Sequence, residues 1–293
     1  MNPRQCSTDA FQPGALSEGA QGLGCRQPPG LLVSIRSLEE ATVVASLPVS
    51  ILDLKEPQRG SLGACSSDLW WSVLEATPFA GLWSLALGEA LHGFAELEEL
   101  PPGVSFVKVG PAGIDSREHL AKFWDRIQKR LCGETSLVAV AYADDSAAAT
   151  MPAEEILQLA VEFRLRYLLI DTATKGAKTS LDWLGLPRLR TLIANATEQG
   201  VEVVLAGSLS RTSLPSLEDL PLAYLAVRGG VCDGGREGTL NHLKVKEWLD
   251  ALAKWPEQTR RPEQTRWPEQ DLERRSVSDE EGKFVGLPNE LSD

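Results

Sequence analysis

Eight short runs rich in Val, Ile and Leu recur along this chain, separated by longer stretches of helical period. They are Leu31 to Ile35, Val49 to Leu54, Leu82 to Leu87, Val104 to Val109, Leu137 to Tyr142, Tyr167 to Ile170, Val201 to Ala206 and Leu222 to Val227. Near-continuous apolarity, in place of strict alternation, is what a strand buried on both faces requires, as in a parallel sheet covered by helices. Eight such strands close a TIM (β/α)8 barrel, a fold of about 250 residues. Intervening helices are expected at Leu38 to Ser46, Asp68 to Ala76, Ser116 to Leu131, Pro152 to Arg164, Leu189 to Gln199 and Leu240 to Ala253. Ser37 has Glu40 three residues on, and Ser67 or Asp68 opens the next helix, so N-cap oxygens are expected at both. The third and seventh helices, within Glu89 to Leu100 and Ser213 to Leu220, are weaker because Gly, Pro or acidic residues interrupt them. An open doubly wound sheet is the competing architecture, but no GxGxxG fingerprint follows the first strand.

The ends of the chain differ from its middle. Residues 1–30 are rich in Gly, Pro, Gln and Ser without a hydrophobic period, the composition of a disordered extension. Beyond the barrel at residues 31–254, Trp255-Pro-Glu-Gln-Thr-Arg recurs from Arg261 and, in part, from Trp267. Proline in each copy prevents a regular helix, and a six-residue repeat is too short for a solenoid. Residues 255–293 therefore read as a low-complexity tail from local duplication, with a partner-binding tail as the alternative. One catalytic domain with two extensions is the expected organisation.

Net charge is -12, from 29 Lys and Arg against 41 Asp and Glu, which opposes binding to nucleic acid or to anionic membranes. Any anionic ligand must then be held by a local site. The five cysteines show neither CxxC nor Cys/His ligand spacing, so a disulfide framework and a structural zinc site are not expected. With no secretory signal pattern and no run of about 18 apolar residues, a cytoplasmic protein is expected. The sequence leaves a homo-oligomer open.

Barrel active sites lie at the C-terminal ends of the strands, where the loops converge on one mouth. The second strand ends in Asp53-Leu54-Lys55, whose alternation sends Asp53 and Lys55 to one side. Lys108 ends the fourth strand, Asp171 the sixth, and Lys175 lies in the loop beyond. A lone lysine here would be a solvated loop cation, and ion pairs closing the rim are the bland alternative. Lys55 and Lys108 differ, because each sits within or just past a run expected to be buried, where an unpaired ammonium is costly. Burial and neighbouring ammonium groups lower a lysine pKa and supply the free amine that attacks a carbonyl. Such a mouth points to Schiff-base chemistry, with the aspartates orienting amines and moving protons.

The last two strands carry a second signal. Gly207 and Ser208 follow the seventh, and Arg228, Gly229 and Gly230 follow the eighth, the region where barrels commonly bind phosphate through backbone N–H groups. Arg228 is expected to add a bidentate contact, and Gly234-Gly235-Arg236 to extend the pocket or form a plain loop. A phosphorylated small molecule is the expected substrate.

Several ordered segments resemble the (5-formylfuran-3-yl)methyl phosphate synthase family. They are Asp53, Lys55, Pro57 and Gly60-Ser61-Leu62-Gly63-Ala64, then Phe106 to Gly110, Ala141 to Asp144, Asp171 to Thr179, Leu205 to Leu209, and Val227 to Arg236. The resemblance, covering about Leu31 to Ala253, implies a TIM-barrel lyase of methanofuran biosynthesis or related one-carbon metabolism. It would condense two molecules of glyceraldehyde 3-phosphate into a phosphorylated furan aldehyde, releasing phosphate and water, without metal or organic cofactor. It further implies Lys55 as the Schiff-base lysine and Lys108 as proton acceptor, supported by Asp53, Asp171 and Lys175. Two positions depart from the family pattern: Glu89 replaces a shorter carboxylate, and Asp233 stands where a lysine is often found. Another Schiff-base aldolase or transaldolase, and a non-catalytic barrel that binds phosphorylated metabolites, are the alternatives.

Overall fold

The structure, a computed structural model, describes residues 28–256 except 93–96, 98–99, 132 and 175. Eight parallel strands close into a barrel in sequence order, with β1 hydrogen-bonded to both β2 and β8. They are β1 (Gly30–Ile35), β2 (Ile51–Leu54), β3 (Leu82–Glu89), β4 (Val104–Gly110), β5 (Ser136–Tyr142), β6 (Tyr167–Asp171), β7 (Glu202–Leu205) and β8 (Leu222–Val227). Each lies within two residues of the apolar run that announced it.

The helices around them are α1 (Leu38–Ala45), α2 (Ser67–Ala76), α3 (Arg117–Gln128), α4 (Asp145–Ala148), α5 (Ala153–Glu162), α6 (Ser180–Leu184), α7 (Leu186–Glu198) and α8 (His242–Leu252). Two of these, α4 and α6, were not expected. The second is one short turn closed by a capping box, in which Thr179 accepts from the Asp182 amide and Asp182 accepts from the Thr179 amide. The two weak positions contain 3-10 turns, Ala90–His92 and Arg211–Ser216, the second with Pro215 inside it. Proline removes the donor that an α-helix would need there.

Ser37 caps α1 as expected, accepting from the Glu40 amide at 3.3 Å. At α2 the expectation fails. The N-cap is Ser66, which makes no side-chain capping bond, and Ser67 and Asp68 lie inside the first turn.

A large apolar layer fills the space between strands and helices, and a smaller one fills the barrel. The interior includes Leu32, Ile51, Val140, Leu169 and Val204, contributed by alternate inward positions. Toward the C-terminal end this lining turns polar, with Ser34, Asp53, Ser84 and Lys108 all buried. Just below Lys108 a cavity of about 20 Å³, lined by Leu32, Phe106, Val138 and other apolar side chains, has room for about one water. The described cysteines, Cys65 and Cys232, are buried free thiols. No described helix is long and apolar enough to cross a membrane.

Candidate active site

The mouth is built from the ends of β2, β3, β4, β5 and β6. Ser34, Asp53 and Ser84 are in register on β1, β2 and β3, so their inward side chains form one row. Lys108 on β4 reaches into that row. Its Nζ donates to Asp53 Oδ1 in an ion pair and to Ser84 Oγ at 2.9 Å, while Ser34 Oγ donates to Asp53 Oδ2 at 3.1 Å. Lys108 is 3% exposed and Asp53 0%, so this pair is shielded from bulk solvent. Burial pulls the Lys108 pKa below the usual lysine range, against the opposing pull of Asp53, and the Lys55 ammonium adds to the lowering.

Lys55 continues past β2, its amide donating to Ile35 O at 3.0 Å, and its side chain is half-buried. Among the described residues Lys55 has no hydrogen-bonded or ion-paired side-chain partner. The expected rim lysines therefore separate into a sequestered amine and an accessible one. Lys175 lies outside the described residues.

The loop after Lys55 folds back on itself, with the Glu56 amide donating to Gly63 O at 2.8 Å. A side chain at Gly63 would strike Glu56 O, so this return needs glycine. Ser61 ties the loop to β6, donating to Asp171 Oδ2 at 3.2 Å and to Thr172 O at 2.8 Å. Asp171 also accepts from the Thr172 amide at 2.7 Å. Asp144 holds the loop beyond by accepting from the amides of Ala173 and Thr174.

Glu89, the longer carboxylate at the end of β3, fills the space that a side chain on Gly110 would need. Its Oε1 accepts from Tyr142 Oη at 2.6 Å and from the Leu62 amide at 3.3 Å, while Oε2 is buried without a hydrogen bond. The Ala112 amide is near enough to favour the charge but makes no hydrogen bond to Oε2. Burial outweighs these contacts and raises the Glu89 pKa, with the Asp171 charge adding to the rise.

At the end of β7, Gly207 and Ser208 both take positive φ, 90° and 56°. A side chain on Gly207 would press on Ser180, whose Oγ donates to Ala206 O at 2.7 Å. After β8, Gly229 and Gly230 open a 3-10 turn, Gly229–Val231, and a short hairpin of β9 (Cys232–Asp233) and β10 (Thr239–Leu240) follows. Asp233, at the position where the family often has lysine, pairs with Lys244 of α8 at 2.7 Å.

Arg228 requires a correction. Its guanidinium is buried, forms a two-pronged ion pair with Glu40 of α1, and donates to the carbonyls of Ser34, Arg236 and Gly238. All five N–H donors are thus occupied within the protein, which leaves none for the bidentate phosphate contact expected of it. Removing one partner of a buried ion pair strands the other. Arg228→Met is accordingly expected to cost about 3–5 kcal/mol of stability, read as a lowered denaturation midpoint.

Arg236, only a doubtful extension of the pocket in the sequence, occupies the mouth instead. Its Nη2 donates to Pro57 O and to Gly60 O at 2.7 Å, linking the loop after β8 to the loop that follows Lys55. The supporting residues Ser34 and Ser84 were also overlooked. Their signal was present as lone hydroxyls inside otherwise apolar runs.

A family model described as 4-HFC-P synthase matches residues 31–249. A "(5-formylfuran-3-yl)methyl phosphate synthase" of Methanopyrus kandleri is 29% identical over 235 residues, 77% of this chain and 99% of that protein. The Methanococcus maripaludis protein of the same name, strain S2, is 30% identical over 227 residues, 74% of this chain and 96% of its own. Among solved structures, phosphoribosyl anthranilate isomerase from Thermus thermophilus superposes with a TM-score of 0.50 at 16% identity, covering 76% of this chain and 98% of that one. Thiamine phosphate pyrophosphorylase from Pyrococcus furiosus gives 0.50 at 10% identity, covering 77% and 95%. Those two likenesses speak to the barrel alone. The family match runs from β1 through β8, takes in the whole mouth, and makes this chain an enzyme of the 4-HFC-P synthase family.

Proposed function

We propose that this enzyme condenses two molecules of glyceraldehyde 3-phosphate into (5-formylfuran-3-yl)methyl phosphate through an iminium on Lys55, a lyase reaction that leads toward methanofuran or a related one-carbon carrier. The observation that carries this reading is the division between the lysines. Lys55 is partly exposed, without a side-chain partner among the described residues, and Lys108 is sealed beneath the mouth between Asp53 and Ser84. The accessible amine suits attack on an aldehyde carbon, with water leaving as the iminium forms. A buried amine of lowered pKa suits removal of the proton on the adjacent carbon, giving the enamine. The enamine carbon then attacks the aldehyde of the second triose, and ring closure and eliminations follow. Overall the two trioses lose one phosphate and two waters, with no net oxidation, and the iminium serves as the electron sink, so this chemistry requires no metal or organic cofactor.

Asp53 holds the Lys108 amine toward the iminium, and Asp171 moves protons on the opposite rim; Lys175 is given a supporting role on the sequence alone. The amides of Gly207, Ser208, Gly229 and Gly230 would cradle one phosphate, because the positive φ values and the 3-10 turn leave N–H groups without partners in the turn.

The test is to incubate the protein with glyceraldehyde 3-phosphate, following the furan aldehyde by absorbance and the borohydride-reduced adduct by mass spectrometry. Furan formation together with an adduct on Lys55 is expected. An adduct without furan would indicate another Schiff-base aldolase, and neither signal would leave a barrel that only binds phosphorylated metabolites.

A further inference from the structure

Two phosphomonoesters must occupy one mouth if two triose phosphates meet there, and the glycine cradle at β7 and β8 accounts for one. The acidic chain pairs most of its described arginines with carboxylates, among them Arg117, Arg166, Arg188, Arg190, Arg211 and Arg228. Arg236 is different. It is half-buried, and among the described residues it has no ion pair. Both hydrogens of Nη2 go to the Pro57 and Gly60 carbonyls, which fixes the guanidinium and leaves the donors on Nε and Nη1 open.

We propose that Arg236 forms a second phosphomonoester subsite, separate from the glycine cradle, which holds the phosphate of the other triose. The backbone of Arg236 lies over Gly229, at 3.5 Å from the position of a Cβ there, so the side chain starts at the edge of the cradle. It then crosses to the β2 loop, with β1 between that loop and β8 in the barrel order. The two phosphate positions therefore flank the mouth without sharing donors. Burial disfavours the charge on Arg236, while Asp171, Glu237 and Glu56 favour it from beyond ion-pair distance. A phosphate dianion would complete the site that these carboxylates only approach.

This inference rests on the condensation reading for its biological substrate, but its test does not. Glycerol 3-phosphate carries the same phosphomonoester and no carbonyl, so it binds without forming an iminium. Calorimetric titration into the full chain should give two sites per chain for the wild type and one for Arg236→Ala. Arg236→Gln, which keeps an amide donor for the loop carbonyls while removing the charge, should behave as Arg236→Ala does. With glyceraldehyde 3-phosphate, both variants should raise KM for furan formation about 10- to 100-fold, the value of a charge-assisted hydrogen bond. One site in the wild type, or two in a folded Arg236→Gln, would overturn the subsite. Two sites falling to one without any furan or adduct from glyceraldehyde 3-phosphate would uphold the subsite and remove the synthase reading instead.

Discussion

Lys55→Ala is expected to abolish the borohydride-trapped adduct and to lower furan formation by on the order of 10⁴-fold or more, the scale seen when a covalent nucleophile is removed. The variant should fold normally, because Lys55 is half-buried and has no side-chain partner among the described residues. Circular dichroism and the denaturation midpoint would show this directly. An adduct that persists at the same stoichiometry in the variant would transfer the iminium to another lysine, and Lys108 would be the first to examine. Trapping in the wild type at a site other than these two would end the mechanism as drawn.

A different kind of effect is expected from Asp53→Ala. Asp53 is the charge that sustains a buried ammonium, so its removal leaves Lys108 with Ser84 alone. Breaking a buried pair from one side costs about 3–5 kcal/mol. The sign of the pH dependence follows from Lys108. Its folded pKa is already depressed, and losing the Asp53 contribution depresses it further, while the unfolded lysine stays near 10.5. The unfolded chain then binds more protons than the folded one, so stability rises with pH. The deficit of the variant should be largest on the acid side of the folded Lys108 pKa and should shrink as pH rises through it, where the wild-type lysine also gives up its proton and Asp53 has no ammonium left to sustain. Denaturant titrations of both proteins at neutral and alkaline pH would measure this. A deficit that grows with pH would mean that Lys108 is not the group that Asp53 sustains.

Most of the barrel was legible because a strand buried on both faces leaves a dense apolar run, and eight such runs recur between stretches of helical period. The connections after β3 and β7 were less so. Short 3-10 turns such as Arg211–Ser216 carry too few residues for a hydrophobic period, and Pro215 obscures what there is. The mouth was legible in its alternation, since Asp53 and Lys55 follow from one period-2 step. Arg228 was misjudged for a physical reason. A glycine-flanked arginine at a barrel rim looks alike whether it faces a ligand or a helix, and only the fold brings Glu40 of α1 against it across 188 residues. The same ambiguity hid Arg236, whose role depends on two backbone carbonyls that no side-chain pattern reveals.

The Arg228–Glu40 pair also bears on how the chain is made. It joins α1, which follows the first strand of the barrel, to the end of β8, the last strand of the barrel. Until residue 228 has emerged, Glu40 has only the longer contact with Arg36, at 3.9 Å, and β1 has only one neighbour. Every other strand can pair with its predecessor as soon as both exist, so the seam between β1 and β8 is the one join that must wait. A nascent chain stalled after β7 would already hold Asp53, Lys55 and Lys108, yet expose an unpaired strand edge, the feature by which incomplete folds are drawn into aggregation.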